Sequence, residues 1–540
     1  MLNKTPGVKP WFFIDATVKD RKKMAKVSLP VFVEQMLQPG FYPHPVQEPI
    51  QLIQTHVSYV FLTGDYAYKV KKPVNFGFLD FSTSQKRKHF CEEELRLNQR
   101  SAKELYLEVL PITMVAGQYY LGGNQQAVEY TLKMRQFPQE ALLSEMFVQG
   151  KLQQLHLQQL GKELAKFHAQ TATNDYIRSF GEVARIRAAF DENYQQTEKY
   201  IGGPQTQTQF AETKQYTDKF FRERTKVFKS RMSGDFIREC HGDLHLRNIA
   251  LWQDRFLLFD CIEFNESFRF VDVMYDVAFT VMDLESRQRQ DLANAFLNSY
   301  VEETGDWEGL QVLPLYLSRQ AYVRAKVNSF LLDDPGVPEQ VKQEIAETAA
   351  SYYKQAWEYT KPRQGRLILM SGLSGSGKST TARYLARQLG AIHLRSDAVR
   401  KHLAGIPLMQ RGEDDLYTPQ MTQQTYTRLQ ELGIMLATEG FTVILDAKYD
   451  RQQLRSEAIA QATEKGIPLY ILYCQAPLEV IRQRLQNRSD DIADATVDLL
   501  PLQQKSAQEF TEQEKPLVKI LDTTLPLQAQ LKEILQIFSP

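Results

Sequence analysis

Gly372-Leu373-Ser374-Gly375-Ser376-Gly377-Lys378-Ser379-Thr380 decides how the C-terminal third of the chain folds. The stretch fits G-x-x-x-x-G-K-[ST]. It follows the apolar run RLILMSG (366–372) and opens the helical run TTARYLARQL (380–389). Strand, glycine-rich turn and helix in that order make a phosphate-binding loop. The glycines let the backbone curl so that successive N–H groups point at phosphate oxygens, and the helix N-terminus adds its positive dipole end. Gly372, Gly375, Ser376, Gly377, Lys378, Ser379 and Thr380 are the expected ATP-binding residues. Lys378 is placed to reach the β- and γ-phosphates, and Ser379 to ligate Mg2+.

Working outward, strands are expected at AIHLRSD (391–397), FTVILDA (441–447), PLYILYC (468–474) and VKILDTT (518–524), with helices between them. Strands alternating with helices give a parallel sheet covered on both faces. Asp397 ends the second strand, where a carboxylate can take the proton of an acceptor hydroxyl, with Arg400 holding substrate or phosphate. A helix N-cap before AVRKHL is the other role open to Asp397. Asp446 ends VILDA in the position of a Walker B carboxylate that holds the Mg2+ shell. Arg482, Arg484 and Arg488 follow on one helix and loop; Arg484 and Arg488, four apart, share a face and are candidates to close over the transferring phosphate. Residues 366–525 resemble the small P-loop kinases near gluconate kinase, adenylylsulfate kinase and the 5′-kinase part of polynucleotide kinase. The resemblance implies phosphoryl transfer and leaves the acceptor open.

The N-terminal half reads differently. VSYVFL (57–62), AYKVKK (67–72), LEVLPI (107–112), QYYLGG (118–123) and EYTLKMRQF (129–137) are short β-rich runs separated by turn residues, with a helix expected from Thr83 to Ala102. Helical periodicity dominates from 139 to 360, interrupted by a strand-and-loop section at 237–264. That section contains His241-Gly242-Asp243-Leu244-His245-Leu246-Arg247-Asn248. Asp243 and Asn248 have the spacing of H-R-D-x-x-x-x-N, with Gly242 in place of the Arg, and the strand RFLLF leads on to Asp260-Cys261-Ile262-Glu263. In such a set Asp243 orients or deprotonates an acceptor hydroxyl, while Asn248 and Asp260 hold Mg2+ against the ATP phosphates.

With these residues the chain resembles the aminoglycoside phosphotransferase and choline kinase group, whose hallmark is HGD-x-x-x-x-N with a downstream Asp. Phe268–Ala278 is similar to that group's following helix, in which Asp276 buttresses the catalytic loop. Tyr66-Ala67-Tyr68-Lys69 resembles the V-A-I-K strand, so Lys69 is expected at the α/β-phosphates, with Lys71 on the same strand face as the rival. Glu93 is the expected partner of that lysine, with Glu94 the close alternative. KMRQF (133–137) is the expected hinge strand at the adenine edge. No G-x-G-x-x-G precedes Lys69, and no A-P-E segment follows, which points to a small-molecule acceptor rather than a protein.

Composition narrows the class. The chain has 540 residues, 43% hydrophobic and 24% charged, the balance of an ordinary globular protein. Lys+Arg and Asp+Glu are both 65, which argues against nucleic-acid or membrane binding by bulk charge. The four cysteines, Cys91, Cys240, Cys261 and Cys474, form no C-x-x-C pair, so a reducing, cytoplasmic setting is expected. No apolar run is long enough to cross a membrane.

The expected fold is an α+β protein-kinase-like two-lobed domain followed by an α/β P-loop NTPase domain with a parallel sheet. The expected boundaries are an extension at 1–30, the first domain at 31–358 (lobes 31–138 and 139–358), a linker at 359–366 and the P-loop domain at 367–540. The order of the halves resembles a bacterial two-part family in which an aminoglycoside phosphotransferase-like domain is fused to a P-loop kinase. The resemblance implies a bifunctional ATP- and Mg2+-dependent phosphotransferase, each half phosphorylating a hydroxyl of a small metabolite. The alternative is a nucleotide- or ligand-binding regulatory N-terminal half, with the P-loop half alone a kinase for small molecules or polynucleotide 5′-hydroxyls.

Overall fold

The computed structural model describes residues 29–488 and 491–538. The extension expected at 1–30 lies, up to residue 28, outside the described residues. Two compact units divide the chain. One is built from the residues up to Lys151 together with Arg238–Val271, the other from Leu152–Ile237 together with Asp272 onward.

The first unit is mixed α+β. Its antiparallel sheet comprises β1 (Gln51–Gln54), β2 (Ser58–Leu62), β3 (Tyr66–Lys71), β4 (Tyr106–Val115), β5 (Gln118–Leu121) and β6 (Ala127–Arg135), in the order β1-β2-β3-β6-β4-β5. Alternation along β3 sets its two faces. Tyr68 and Val70 enter a core with Val33, Met36, Phe61 and Ile112. Lys69 and Lys71 take the other face, toward the helix Ser84–Asn98. That helix starts where the Thr83 side chain accepts the Lys86 N–H. A second core of Ala102, Leu105, Tyr106 and Leu132 includes Ala250 and Leu257 from a hairpin, β7 (Ile249–Trp252) and β8 (Arg255–Leu258). Gln253 and Asp254, both at positive φ, form its two-residue turn.

The second unit begins with helices. Val273–Ser286 is buried along nearly its whole length, and the long helices Leu313–Leu332 and Glu339–Glu358 pair with each other. No helix or strand forms between Glu358 and Arg366. A parallel five-stranded sheet follows: β9 (Arg366–Ser371), β10 (Ile392–Arg395), β11 (Thr442–Asp446), β12 (Leu469–Gln475) and β13 (Val518–Asp522), in the order β10-β11-β9-β12-β13. Ile368, Met370, Ile444, Leu472 and Leu521 pack against Ala382, Leu385 and Ala386 of the helix Lys378–Leu389. β9, β11 and β12 are apolar along most of their length because helices cover both faces, whereas the edge strand β13 exposes Lys519 and Ile520. Among the described residues, no helix is long and apolar enough to cross a membrane.

Candidate functional sites

In the first unit, β3, the helix Ser84–Asn98 and the loop after β8 converge on one ion cluster. Lys69 Nζ lies 2.7 Å from Glu94 Oε1 and 2.6 Å from Asp260 Oδ1. Lys71 Nζ lies 2.6 Å from Glu94 Oε2 and also meets Glu263. Burial alone would lower the Lys69 ammonium, but Asp260 and Glu94 outweigh it and keep the group charged. Burial would raise Glu94, and the two ammoniums hold it well below the usual carboxylate range instead.

Glu93 is not the lysine partner that the sequence suggested. Arg87, Cys91, Glu94 and Asn98 form the buried face of the helix, at the spacing of successive turns, and Glu93 is rotated off it. Glu93 binds Arg96 at 2.9 Å and stands 3.8 Å from Arg269. The rivalry between Lys69 and Lys71 resolves into sharing, since Glu94 bonds both. Glu263, whose pairing with Lys71 the sequence reading missed, sits three residues past Asp260. The hinge candidate ends at a short tie: the Gly64 N–H in the β2–β3 turn donates to Gln136 Oε1 at 3.0 Å.

The loop at 241–248 is braced from within the unit. His241 Nε2 donates to the Phe259 carbonyl at 2.8 Å, which leaves Nδ1 to accept the Asp243 N–H at 3.3 Å. Asn248 Nδ2 donates to Asp243 O at 3.0 Å and to its Oδ2 at 3.2 Å. Gly242 has φ +87°, and a Cβ there would stand 2.5 Å from the Phe268 carbonyl oxygen, so neither an Arg nor any other side chain fits. Asp260 also takes a left-handed conformation, with its N–H donating to Tyr106 Oη. The side chains of Asp243 and Asp260 are 36% and 42% exposed. In the second unit, Asp276 accepts from His168 Nε2 at 3.2 Å, and His168 Nδ1 pairs with Tyr300 Oη.

The P-loop links β9 to the helix Lys378–Leu389. Gly372, Gly375 and Gly377 all have positive φ, and a Cβ on Gly372 would stand 2.5 Å from the Cys474 carbonyl oxygen. Lys378 Nζ folds back on the carbonyls of Gly372 (3.0 Å) and Leu373 (2.8 Å), and burial lowers its pKa. Ser376 Oγ is buried and has no hydrogen-bond partner among the described residues. A buried ammonium bonded only to carbonyls, a hydroxyl without a partner and a glycine cradle fit a phosphate chain. Ser379 is half-buried and Thr380 exposed, both in the first turn of the helix.

Asp446 ends β11 beside Arg395, its register partner on β10. His393 Nε2 donates to Asp446 Oδ2 at 3.0 Å. Burial would raise the Asp446 carboxyl, yet this hydrogen bond and the charges of His393, Arg395 and Lys378 hold it well below the usual range. Asp397 goes the other way: burial raises it, aided by Asp446 and Asp491, against the pull of Arg395 and Arg400. Arg395 meets Asp491 at 2.5 Å. Arg400, 8% exposed, donates to Leu416 O at 3.0 Å; it has no carboxylate partner within ion-pair distance among the described residues, and its Nε is unpartnered.

Arg484 donates to Thr523 Oγ1 and O, at 2.8 and 2.7 Å, and Thr523 Oγ1 bonds the Ser376 carbonyl in the P-loop. The helix Leu478–Gln486 ends before Arg488, so Arg484 and Arg488 do not share a helical face as expected. Arg482 is on the surface, 3.6 Å from Glu479. His393, Asp491 and Thr523 escaped the sequence reading. The period of two along β10 could have flagged His393, two residues before Arg395 on the same face.

Residues 367–511 match the AAA domain family model. The chain is 33% identical over 124 residues to the adenylyl-sulfate kinase of Myxococcus xanthus, covering 22% of this chain and 63% of that one. A solved APS kinase of Mycobacterium tuberculosis is 22% identical, covering 33% of this chain and 99% of its own, with a TM-score of 0.24. Over 462 residues the chain is 30% identical to an uncharacterized protein of Mycobacterium tuberculosis, covering 84% of this chain and 90% of that one. A C-terminal P-loop kinase-like domain is thus fused to a second domain, and the chain belongs to the family of that mycobacterial protein.

Proposed function

We propose that the chain is a bifunctional phosphotransferase with two ATP- and Mg2+-dependent sites, each phosphorylating a hydroxyl of a small metabolite. The observation that carries the reading is the pair of complete constellations, Lys69–Glu94 with Asp243, Asn248 and Asp260 in one unit, and the P-loop with Asp397 and Asp446 in the other. The aminoglycoside phosphotransferase-like identity of residues 31–358, with the P-loop domain from 367, belongs to this proposal, as does a cytoplasmic setting.

Mg·ATP supplies the transferable γ-phosphoryl group at each site. In the first, Lys69, fixed by Glu94, neutralises phosphate charge, and Asn248 and Asp260 hold the metal. Asp243 Oδ takes the proton of the acceptor hydroxyl. In the second, the loop N–H groups and Lys378 bind phosphates, Ser379 and Asp446 hold the metal, and Arg484 closes one side. Asp397, whose carboxyl is held above the ordinary range by burial, accepts the proton there. Arg400, buried and with no carboxylate partner among the described residues, supports an acceptor that itself carries negative charge.

One feature favours a second reading for the first unit. The β2–β3 connection is a tight turn closed by Thr63 and Tyr66, with no glycine-rich lid, which suits a nucleotide-binding regulatory module. Asp243→Asn and Asp397→Asn separate the readings. A catalytic base lost at either position lowers transfer of labelled γ-phosphate into its product by about 100-fold or more, with Mg·ATP affinity little changed. Unaltered transfer in Asp243→Asn would make the first unit a binding module.

A further inference from the structure

The helix Gln290–Thr304 lies in the sequence before the linker, yet it runs along β10, the edge strand of the P-loop sheet. Asn294 and Asn298 Nδ2 donate to the Ala391 carbonyl, at 2.9 and 3.0 Å. The His393 N–H donates to Asn298 Oδ1 at 2.7 Å. Glu302 Oε1 stands 3.7 Å from Arg395. Three residues of one helix stripe, each four apart, thus read three strand positions, each two apart. The repeats match because four helical residues rise about 6.0 Å and two strand residues about 6.6 Å.

The contact continues past the strand. His402 Nε2 donates to the Glu302 carbonyl at 2.8 Å, and Trp307 meets the His402 ring edge-on at 5.4 Å. On its other side the helix packs closely on Gln154–Gln170, where a Cβ on Gly161 would stand 2.7 Å from the Phe296 carbonyl oxygen. An edge strand leaves backbone N–H and C=O groups free, which a helix or loop can cover and which need polar partners once buried. This stripe does more than cover. It grips the strand at His393, which bonds Asp446, and at Arg395, which pairs with Glu302 and Asp491 and feels the charges of Asp446 and Asp397.

We infer that this helix is a built part of the P-loop site, and that Glu302 and Asn298 are positioning residues that set Arg395 and His393 for phosphoryl transfer. The inference rests on the phosphotransferase reading of that site. Glu302 shares the Arg395 guanidinium with Asp491, so its charge limits how far Arg395 is drawn toward Asp397. Asn298 fixes the backbone of His393 and, through it, the carboxylate that is to hold the metal.

The test uses the full chain and the labelled product, made from γ-labelled Mg·ATP and a bacterial metabolite extract, that disappears in Lys378→Ala. Glu302→Gln is expected to lower the maximal rate of its formation about tenfold, with the ATP KM within about twofold. Asn298→Ala is expected to lower it about threefold. The Glu302→Gln loss is expected to vanish in an Arg395→Gln background, since the two act as one unit. A merely structural helix would lower the melting temperature and spare the rate per folded molecule. Parental rates in both single variants, or losses that add to that of Arg395→Gln, overturn the inference while the Lys378-dependent product remains. If no product depends on Lys378, the phosphotransferase reading fails first and the inference with it.

Discussion

Replacing Glu94 with Gln removes one negative charge from between two buried ammoniums. The Glu94 side chain is 0% exposed, against 2% for Lys71 and 14% for Lys69. Breaking a buried pair by removing one partner costs about 3–5 kcal/mol. Lys69 keeps Asp260 and Lys71 keeps Glu263, so the lower end, about 3 kcal/mol, applies here. At about 2–4 °C per kcal/mol for a unit of this size, the first unit melts about 6–12 °C lower. Glu93→Gln is the control. Its partner Arg96 is 48% exposed, and such a surface pair is worth about 0–1 kcal/mol. The assay is thermal unfolding at pH 7, read locally by hydrogen exchange of peptides from β3 and the helix Ser84–Asn98. Glu94 has a depressed pKa, so its contribution is fully present above the unfolded carboxylate pKa and is lost only as the pH falls through the folded value. An equal or larger loss in Glu93→Gln, or a shift under 1 °C in Glu94→Gln, would refute the assignment.

Three further outcomes follow from the geometry. Gly242→Ala places a methyl 2.5 Å from the Phe268 carbonyl in a left-handed backbone, so it is expected to cost about 2–3 kcal/mol and to cut first-site transfer at least tenfold, read by urea unfolding and label transfer. His393→Phe strips Asp446 of a buried hydrogen bond. The expected loss is about 1–3 kcal/mol at pH 6; it holds above the unfolded carboxylate pKa and shrinks only as the pH falls below that toward the depressed folded value. Asp397→Asn should stabilise the chain at pH 7 while abolishing second-site transfer. A carboxyl with a raised pKa is penalised when ionised, so that gain should fade below the unfolded pKa in urea titrations across pH.

Much of this molecule is written locally in its sequence. The P-loop was legible because its turn is built from residues a few positions apart, as are the hydrogen bonds within the 241–248 loop, and the α/β alternation after residue 366 was legible because the central strands are buried on both faces. The choice between Glu93 and Glu94 was not legible. It turns on the rotational phase of the helix Ser84–Asn98, and three consecutive acids carry no phase of their own. The contact of Arg484 with Thr523 depends on residues 39 positions apart. The Asn294–Asn298–Glu302 stripe reads in sequence as an ordinary polar helix face, because the strand it matches lies about a hundred residues onward. The reason for Gly242 in place of an Arg, the close approach of the Phe268 carbonyl, is also out of the sequence's reach.

Two separate transfer sites should yield two separable products. The most direct measurement resolves the labelled products formed from γ-labelled Mg·ATP and a metabolite extract by the wild-type chain, Asp260→Asn and Lys378→Ala. Each variant is expected to lose a different product and keep the other. Loss of every product in Lys378→Ala, with none lost in Asp260→Asn, would contradict it and leave a single kinase site in the P-loop domain.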